Sequence, residues 1–246
     1  MSEVAVTEDF FLGGRLRIRQ PARGYRVNAD TLLLASAVEA MRGARLLEVG
    51  CGVGAALLAV AARSENTTIV GLERDANMAS LASENVAANG MSTRAEIQTG
   101  DVLGLQANRE TFDGVFFNPP FDHDGDGRAP SEERRHAYIA DQSIDAWIKT
   151  LADRLRGDAA LTLIHRAHRA PEILAALDGR LGGVEIIPIR PRADAPAKRI
   201  LVRARKGSRA PFLLHKGLDL HDASGAKHTP EAEALLRGET TLSWGD

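Results

Sequence analysis

Short apolar runs alternate with longer stretches of helical periodicity along the middle of the chain. Two of the longer stretches, Ala55–Arg63 and Ala76–Asn89, have the spacing of helices; Asp75 is placed to cap the second and Gly90 to end it. This alternation predicts an α/β fold, in which helices cover both faces of a mostly parallel sheet. Seven runs have the composition of strands: Arg45–Val49, Thr68–Glu73, Ala95–Thr99, Gly114–Asn118, Ala160–His165, Val184–Arg190 and Arg199–Arg205.

The two ends of the chain predict extensions to this core. Residues 15–19 alternate strictly, so a strand there would put three arginines on one face and two aliphatic side chains on the other. We expect one domain with an N-terminal extension (1–42), a core (43–206) and a C-terminal extension (207–246). The other elements predicted in the extensions are a helix over Thr31–Met41 capped by Asn28 or Asp30, an extended segment over Phe212–Asp222 and a helix over Pro230–Arg237.

The composition is that of a globular protein. The 246 residues are 44% hydrophobic and 26% charged, which is ordinary usage for a folded domain. No run reaches the roughly 18 apolar residues that a membrane span needs, and the first ten residues carry three acids where a secretory signal would be basic and then apolar. A single cysteine, Cys51, can form neither an internal disulfide nor a thiolate zinc cage. We therefore expect a cytoplasmic protein without a membrane partner.

Positive charge is concentrated in two segments, although the formal net charge is only −2. Residues 180–216 contain ten lysines and arginines against two acids. Residues 15–26 contain five arginines and no acid. Segments of this kind favour a polyanionic partner, while an ordinary solvated surface would give the same count.

A glycine-rich turn follows the first predicted core strand. Gly50, Gly52 and Gly54 form a G-x-G-x-G sequence that leads into a helix, and Glu48 stands two residues before it. Glycines there let the backbone approach a ligand closely. The dinucleotide-binding fingerprint is one residue longer, which makes an NAD-dependent dehydrogenase a poor fit. The turn resembles motif I of the class I methyltransferases that use S-adenosylmethionine, although a tight turn without a ligand is the alternative.

Two further acids follow the next two predicted strands. A carboxylate at Glu73 can accept both hydroxyl groups of a ribose, as an acid does about 20 residues after a Rossmann glycine loop. Asp101 stands where the methyltransferases place an acid against the adenine amine of the cofactor. Either acid alone is a weak signal, but three acids in register with successive strand ends are a stronger one.

The tetrapeptide Asn118-Pro119-Pro120-Phe121 follows the fourth predicted strand. Two adjacent prolines fix the backbone and hold the Asn118 and Pro119 carbonyl groups in a rigid geometry. That geometry suits an exocyclic amine: the Asn118 side-chain oxygen and the Pro119 carbonyl can accept its two N–H bonds and favour a tetrahedral nitrogen. Phe121 can stack on the base. Because the methyl donor carries its own leaving group and charge, the protein needs to supply only orientation and hydrogen bonds.

This tetrapeptide resembles the motif of the NPPY-type amino methyltransferases, with Phe in place of Tyr. Beyond it, the chain resembles the bacterial tRNA(Val) adenine N6-methyltransferase family through residues 25–34, 135–138 and 197–202. The resemblance implies a Rossmann-like class I methyltransferase fold with a short N-terminal strand and helix, S-adenosylmethionine as cofactor, and adenine N6 in tRNA or other structured RNA as target. It also implies that Asp30 lies near the cofactor.

The expected site residues fall into three groups, and no metal site is expected among them. The catalytic group is Asn118, Pro119, Pro120 and Phe121. The cofactor-binding group is Asp30, Glu48, Gly50, Gly52, Gly54, Glu73, Asp101 and Asn118. The nucleic-acid-binding group is Arg15, Arg17, Arg19, Lys198, Arg199, Arg203 and Arg205.

Several other interpretations stay open. Residues 122–133 match the EF-hand calcium pattern, but they follow a strand and contain Pro130, so an acidic loop is the better interpretation. His165 and His168 have no third zinc ligand close in sequence, which favours a surface pair or an RNA contact. Methylation of protein glutamine N5 or of ribosomal guanine N2 uses the same kind of planar amine. A non-catalytic RNA-binding protein on this scaffold is the last alternative, and the intact Asn118-Pro119-Pro120 argues against it.

Overall fold

The computed structural model describes residues 5–24, 26–107, 110–119, 143–222 and 227–245. None of the helices in these ranges is long and apolar enough to cross a membrane. The strands in the described residues are β1 (Val6–Phe11), β2 (Leu16–Pro21), β3 (Arg45–Val49), β4 (Thr68–Glu73), β5 (Ala95–Thr99), β6 (Phe112–Phe117), β7 (Leu155–Arg166), β8 (Gly182–Arg190), β9 (Arg199–Arg205), β10 (Leu213–Leu214) and β11 (Leu218–Asp219). The α-helices there are α1 (Ala29–Ala37), α2 (Ala55–Arg63), α3 (Ala76–Ala88), α4 (Ile144–Ala152), α5 (Ala170–Leu177) and α6 (Pro230–Leu236).

Strands β3 to β9 form the body of a mostly parallel sheet in the order β8-β9-β7-β6-β3-β4-β5. Strands β3 to β7 run parallel to one another, and β9 lies antiparallel between β7 and β8. The predicted seven-stranded α/β architecture is confirmed. The sheet also includes β10 and β11, which both pair with β8 and are too short to show an alternating pattern in the sequence.

Several predicted boundaries differ from the structure. Strand β6 spans Phe112–Phe117 rather than Gly114–Asn118, and β8 begins at Gly182 rather than Val184. Strand β7 begins at Leu155 rather than Ala160, because Leu155 pairs with Phe112 ahead of an irregularity in the β6–β7 register. Asp158, within that irregular stretch, has a positive φ of 63°, which breaks the alternation that marks a strand. Helix α1 ends at Ala37 because Val38 turns to extended backbone, so the predicted helix over Thr31–Met41 is four residues too long.

Buried apolar side chains cover both faces of the sheet. One layer packs α4 and α5 against the sheet through Trp147 and Ile173. The opposite layer lies against α1 and α2 and includes Leu12, beside the N-terminal hairpin, and Trp244. The Trp244 indole N–H donates to the carbonyl of Ala37 at 2.8 Å. Residues close to both ends of the described chain therefore complete one hydrophobic layer.

Strands β1 and β2 form an antiparallel hairpin outside the main sheet. Leu16 and Ile18 are buried while Arg17 and Arg19 are exposed, so the predicted alternation of β2 is confirmed. The periodicity identified β2 but gave no sign of β1, whose polar residues do not alternate with apolar ones.

The edge of β2 that faces away from β1 is paired by the side chains of Asn85, on α3, and of Asn89, which caps the C-terminus of that helix. Asn85 accepts a hydrogen bond from the Arg19 N–H at 2.8 Å and donates to the Arg19 carbonyl at 2.9 Å. Its amide also donates to the Val53 carbonyl in the glycine turn at 2.9 Å. Asn89, one helical turn further on, pairs in the same way with both backbone groups of Arg17. The hairpin is thus attached to α3 by amide groups that take the place of a neighbouring strand.

We expect Asn85→Ala to lower the free energy of unfolding by about 3 kcal/mol, because a fully buried amide that satisfies three backbone groups is lost. Asn89→Ala is the matched control and should cost about 1 kcal/mol, because water can reach the partly exposed Arg17 backbone. Urea unfolding measures both values. Equal losses in the two variants would contradict the role assigned to Asn85.

Candidate active site

The predicted cofactor and catalytic residues lie along one edge of the sheet. Parallel strands β3 to β7 all end there, and the strand order brings Asp101, Glu73, the glycine turn and Asn118 side by side. The carboxyl ends of parallel strands are where open α/β sheets bind their ligands. The structure thus brings these four predicted features together.

The glycine turn places all three of its glycines in the left-handed region of the backbone. Their φ angles are 68° at Gly50, 55° at Gly52 and 80° at Gly54. A Cβ atom at Gly50 would lie 3.4 Å from the Trp147 ring, and one at Gly54 would lie 3.4 Å from Ala82. A Cβ atom at Gly52 would meet no described atom within 4 Å. Gly50 and Gly54 therefore permit close packing inside the protein, whereas Gly52 borders open space that a cofactor can occupy.

Glu73 ties the glycine turn to the end of β4. One carboxylate oxygen accepts the Gly52 N–H at 2.8 Å, and the other accepts the Asp75 N–H at 2.9 Å. An ionised carboxylate has about four acceptor positions, so Glu73 can keep both bonds and still accept the hydroxyl groups of a ribose. Asp101 accepts the Leu103 N–H at 2.9 Å and lies half-exposed at the end of β5. Both acids therefore lie at the ends of neighbouring strands, and their contacts with a cofactor stay predictions.

Glu48 is buried beneath the glycine turn instead of facing the open side of the site. Its carboxyl group is 4% exposed and accepts the N–H of Leu57, in the first turn of α2, at 2.8 Å. Burial, together with the nearby negative charge of Glu73, raises the pKa of Glu48 to about 8. This side chain holds the turn against the start of α2, a positioning role that the sequence did not predict; direct contact with the cofactor stays a prediction.

Asn118 follows β6 directly and is half-buried, and Pro119 after it is buried. The side chain just before them, Phe117, is fully buried and packs on the Trp147 ring at 5.4 Å between centroids. The start of the predicted amine-binding motif is thus anchored in the core. Other predicted features lie outside the described residues, namely Tyr25, Pro120, Phe121, the acidic loop 122–133 and the segment 135–138.

Trp147 is a site residue that the sequence analysis missed. It lies on α4, packs on Phe117 and faces Gly50, so one indole ring supports both the amine-binding motif and the glycine turn. Helix α4 was not among the predicted elements, although two signals mark it. Ser143 caps the helix by accepting the Ala146 N–H at 3.2 Å, and apolar residues recur over residues 144–151 with helical spacing.

Asp30 lies at the start of α1 and forms an ion pair with Arg199 at 2.8 Å. The sequence analysis assigned Asp30 to the cofactor and Arg199 to nucleic acid, and the structure joins the two side chains. Since Arg199 begins β9 opposite Arg166, both residues lie at the functional edge of the sheet.

The other predicted nucleic-acid-binding residues of β9 lie elsewhere. Arg205 pairs with Ala160, six residues from the Arg166–Arg199 pair along the strand, which is about 20 Å toward the opposite edge. Arg203 is 7% exposed, donates to Glu185 at 3.1 Å through Nε and at 2.5 Å through Nη2, and stacks on Trp244 at 4.7 Å. Arg203 and Arg205 also both bind Glu39. The Arg203 guanidinium is thus enclosed among acids of the protein itself, which argues against its predicted RNA contact.

The three arginines of the hairpin are exposed but have protein partners. Arg15 donates to the carbonyls of Arg237 and Gly238, both at 2.7 Å, which satisfies backbone groups at the end of α6. Arg17 lies 3.7 Å from Glu8, and Arg19 binds Glu84. Exposed ion pairs of this kind are worth little, so Arg17 and Arg19 remain available to a polyanion.

His165 is buried at the end of β7, unlike the surface residue that its sequence context suggested. Burial and interaction with Arg169, His168, Arg166 and Arg199 lower the pKa of His165 to about 4, so the imidazole is neutral at physiological pH.

Burial raises the pKa of the Cys51 thiol, which leaves it an unreactive side chain. Among the described residues, no three His, Cys, Asp or Glu side chains are grouped as metal ligands.

A Rossmann-like sheet with a short glycine turn, acids at successive strand ends and an Asn-Pro sequence after β6 defines the class I methyltransferases. The chain matches the model of the methyltransferase small domain family over residues 24–184. It is 29% identical over 152 residues to the tRNA1(Val) (adenine(37)-N6)-methyltransferase of Haemophilus influenzae, an alignment that covers 61% of this chain and 65% of that protein, slightly under two thirds of its length.

Two solved structures share the fold. A predicted O-methyltransferase from Agrobacterium tumefaciens superposes with a TM-score of 0.73 at 31% identity, covering 87% of this chain and 98% of that one. The 16S rRNA N2 G1207 methyltransferase of T. thermophilus, in complex with AdoMet and guanosine, gives a TM-score of 0.61 at 21% identity, covering 84% and 51%. The chain belongs to the methyltransferase small domain family.

We expect Gly52→Ala to weaken S-adenosylmethionine binding at least tenfold, because its methyl group enters the open space beside the turn. Gly90→Ala is the matched control: it has a similar φ of 69° and no described atom within 4 Å of a Cβ, but it lies after α3, away from the site. The strain of a left-handed alanine should therefore be similar in both variants. Calorimetric titration tests this, and an equal effect on cofactor affinity in both variants would refute it.

The raised pKa of Glu48 predicts a pH-dependent stability. The folded-state pKa of about 8 lies above the ordinary value of 4.5, so the protonated Glu48 carboxyl group contributes to the free energy of unfolding. This contribution is greatest below pH 4.5 and is lost as the pH rises toward 8. Glu48→Gln removes it and keeps an acceptor for the Leu57 N–H. In urea unfolding without cofactor, the wild-type free energy should fall relative to this variant by a few kcal/mol across that window. Parallel curves would contradict it.

Proposed function

We propose that this protein transfers the methyl group of S-adenosylmethionine to an exocyclic amine of RNA, and that the target is adenine N6 in tRNA. The observation that carries the proposal is the position of Asn118 and Pro119. They follow β6, directly beside the strand that leads into the glycine turn, so an amine held there lies next to the cofactor. The tRNA target is supported by the name of the Haemophilus relative. Such a role is that of a cytoplasmic enzyme.

The residues of the site fit the cofactor by their chemistry. Gly52 leaves room for the cofactor. The Glu73 carboxylate can accept hydrogen bonds from its ribose hydroxyl groups, and the Asp101 carboxylate can accept one from its adenine amine. When bound, S-adenosylmethionine supplies an electrophilic methyl group on a positively charged sulfur. The protein supplies no nucleophile of its own; its part is to hold the two reactants in line.

Asn118 and Pro119 make the amine reactive. The lone pair of an adenine amine is delocalised into the ring, which makes the nitrogen a poor nucleophile. The Asn118 side-chain oxygen and the Pro119 carbonyl accept one N–H each and favour a tetrahedral nitrogen, whose lone pair then points at the methyl group. Positive charge develops on that nitrogen during transfer, and these two oxygens stabilise it. As the new N–C bond forms, the bond between the methyl group and sulfur would break and leave a neutral thioether, and the positively charged nitrogen would then lose one N–H proton to solvent.

The base must leave its stack to reach this site. An enzyme that modifies a base extrudes it and holds it by hydrogen bonds and stacking, and Phe121 is the side chain that we propose stacks on it. Sequence-independent contacts to phosphates then supply most of the affinity. Among the predicted basic residues, we propose Arg17, Arg19, Lys198 and Arg199, which are exposed or partly exposed. Arg15 is also exposed, but it binds backbone carbonyls at the end of α6. Arg205 is partly exposed, but it binds Glu39 far from the site.

We expect Asn118→Ala to lower methyl transfer to tRNA by about a hundredfold or more, the scale of losing one preorganised hydrogen-bond partner in a transition state. Cofactor affinity should stay within a few-fold of wild type. Asn66→Ala, an exposed asparagine between α2 and β4, is the control and should keep full activity. Transfer of a radiolabelled methyl group and calorimetry measure the two quantities.

The methylated product distinguishes the related activities. Mass spectrometry of digested tRNA should show N6-methyladenosine, and Phe121→Tyr should retain this product while Phe121→Ala should lose most of it. Detection of N2-methylguanosine would show that the substrate is guanine in RNA and not adenine. Methyl label in protein glutamine with none in RNA would show that the substrate is a protein. Normal turnover by Asn118→Ala would refute the amine-binding mechanism itself.

A further inference from the structure

The strand order restricts the side from which a substrate approaches Asn118. Strands β3, β4 and β5, which carry the cofactor residues, all lie on one side of β6. On its other side the described sheet continues with β7 and then β9. With the cofactor over the first three strands, a large substrate that inserts a base beside Asn118 must extend over the ends of β7 and β9.

Basic side chains are concentrated at those two strand ends. Arg166 ends β7, His168 and Arg169 form the turn after it, and Lys198 precedes β9. We call these four residues the edge cluster. His168 and Lys198 are exposed, and Arg166 and Arg169 are half-buried. A hydrogen bond from the Ala167 N–H to the Lys198 carbonyl at 3.1 Å holds the two segments together, so one rigid part of the backbone carries all four residues.

Basic side chains outnumber the acids that the described residues place against them here. Glu172 lies 2.8 Å from Arg169, and Asp30 lies 2.8 Å from the neighbouring Arg199. The cluster's Arg166, Arg169 and Lys198 and the neighbouring Arg199 thus bring four basic side chains to this edge of the sheet.

The buried His165 lies close to the same basic side chains, and its pKa depends on them. Apart from burial, the pKa of His165 is lowered by interaction with Arg169, His168, Arg166 and Arg199, and three of these four residues belong to the edge cluster. The positive potential at the end of β7 is therefore a property of the fold at this position and not of a single side chain.

We propose that the edge cluster binds the phosphate backbone of the RNA beside the base that is methylated; this inference rests on the proposed RNA substrate. Phe117 pairs with Leu163, so Arg166 lies two residues beyond the level of Asn118 on the neighbouring strand, about 7 Å further along the sheet. One nucleotide can span that separation. The cluster thus holds the backbone while Asn118 and Pro119 hold the amine. The far-edge Arg203 and Arg205 take no part.

The test compares two charge-matched double variants of the full chain. Arg166→Gln with Lys198→Gln removes two positive charges from the edge cluster. Arg42→Gln with Arg209→Gln removes two from exposed positions at the opposite edge, before β3 and after β9. Binding of an unmodified tRNA(Val) transcript is measured over a series of KCl concentrations, and S-adenosylmethionine binding checks that each variant is folded. Lys198→Glu changes a single exposed residue and provides a second test of the cluster in case the double variant does not fold.

The cluster variant should bind the transcript at least tenfold more weakly, and the slope of log affinity against log salt should flatten by roughly 1.4 to 1.8, since each phosphate contact contributes about 0.7 to 0.9. The far-edge variant should match wild type. If wild type binds and methylates the transcript but the cluster variant matches the far-edge variant, the inference is overturned and the proposed function stands. If wild type neither binds nor methylates tRNA, both the inference about the edge cluster and the proposed tRNA substrate are refuted.

Discussion

The site depends on a short glycine turn held in a conformation that only glycine adopts easily. Three N–H groups of the turn are bonded to the end of β4: the Leu72 carbonyl accepts from both Gly50 and Cys51, and the Glu73 carboxylate accepts from Gly52. Glu48 secures the start of the following helix from below. Because the left-handed conformation at Gly52 is stabilised by bonds on its protein side, its outer side is left bare for a ligand. The chemistry needs little else from the protein than this fixed geometry.

The parts of the molecule around the turn are coupled to it by single side chains. Asn85 joins the N-terminal hairpin to the Val53 carbonyl, and Trp147 joins α4 to both Gly50 and Phe117. Asp30 and Arg199 connect α1 to the end of β9. Elements that are far apart in sequence therefore meet at one edge of the sheet, where parallel strands end and their loops begin.

Local patterns in the sequence were sufficient for the seven-stranded body of the sheet and for the strand ends at which the predicted site residues lie. Strands β3, β4, β5 and β9 begin and end where their apolar composition predicts, because glycines and charged residues mark their limits. The enclosure of Arg203 was not predictable in this way, since it depends on Glu39 and Trp244, which approach only in the folded chain. The burial of Glu48 has the same origin. A strand pattern shows that alternate residues face opposite sides of the sheet, but it does not show which side chains from other elements pack on each side.

Trp244 and Leu12 lie in the same hydrophobic layer, with the whole central sheet between them in the sequence. This arrangement has a consequence for biosynthesis. The layer against α1 and α2 stays incomplete on a ribosome until the residues around Trp244 have emerged, and until then the enclosed Arg203 lacks the indole that covers it. Completion of this part of the core therefore depends on a contact between residues that are far apart in the sequence, and contacts of that kind form slowly.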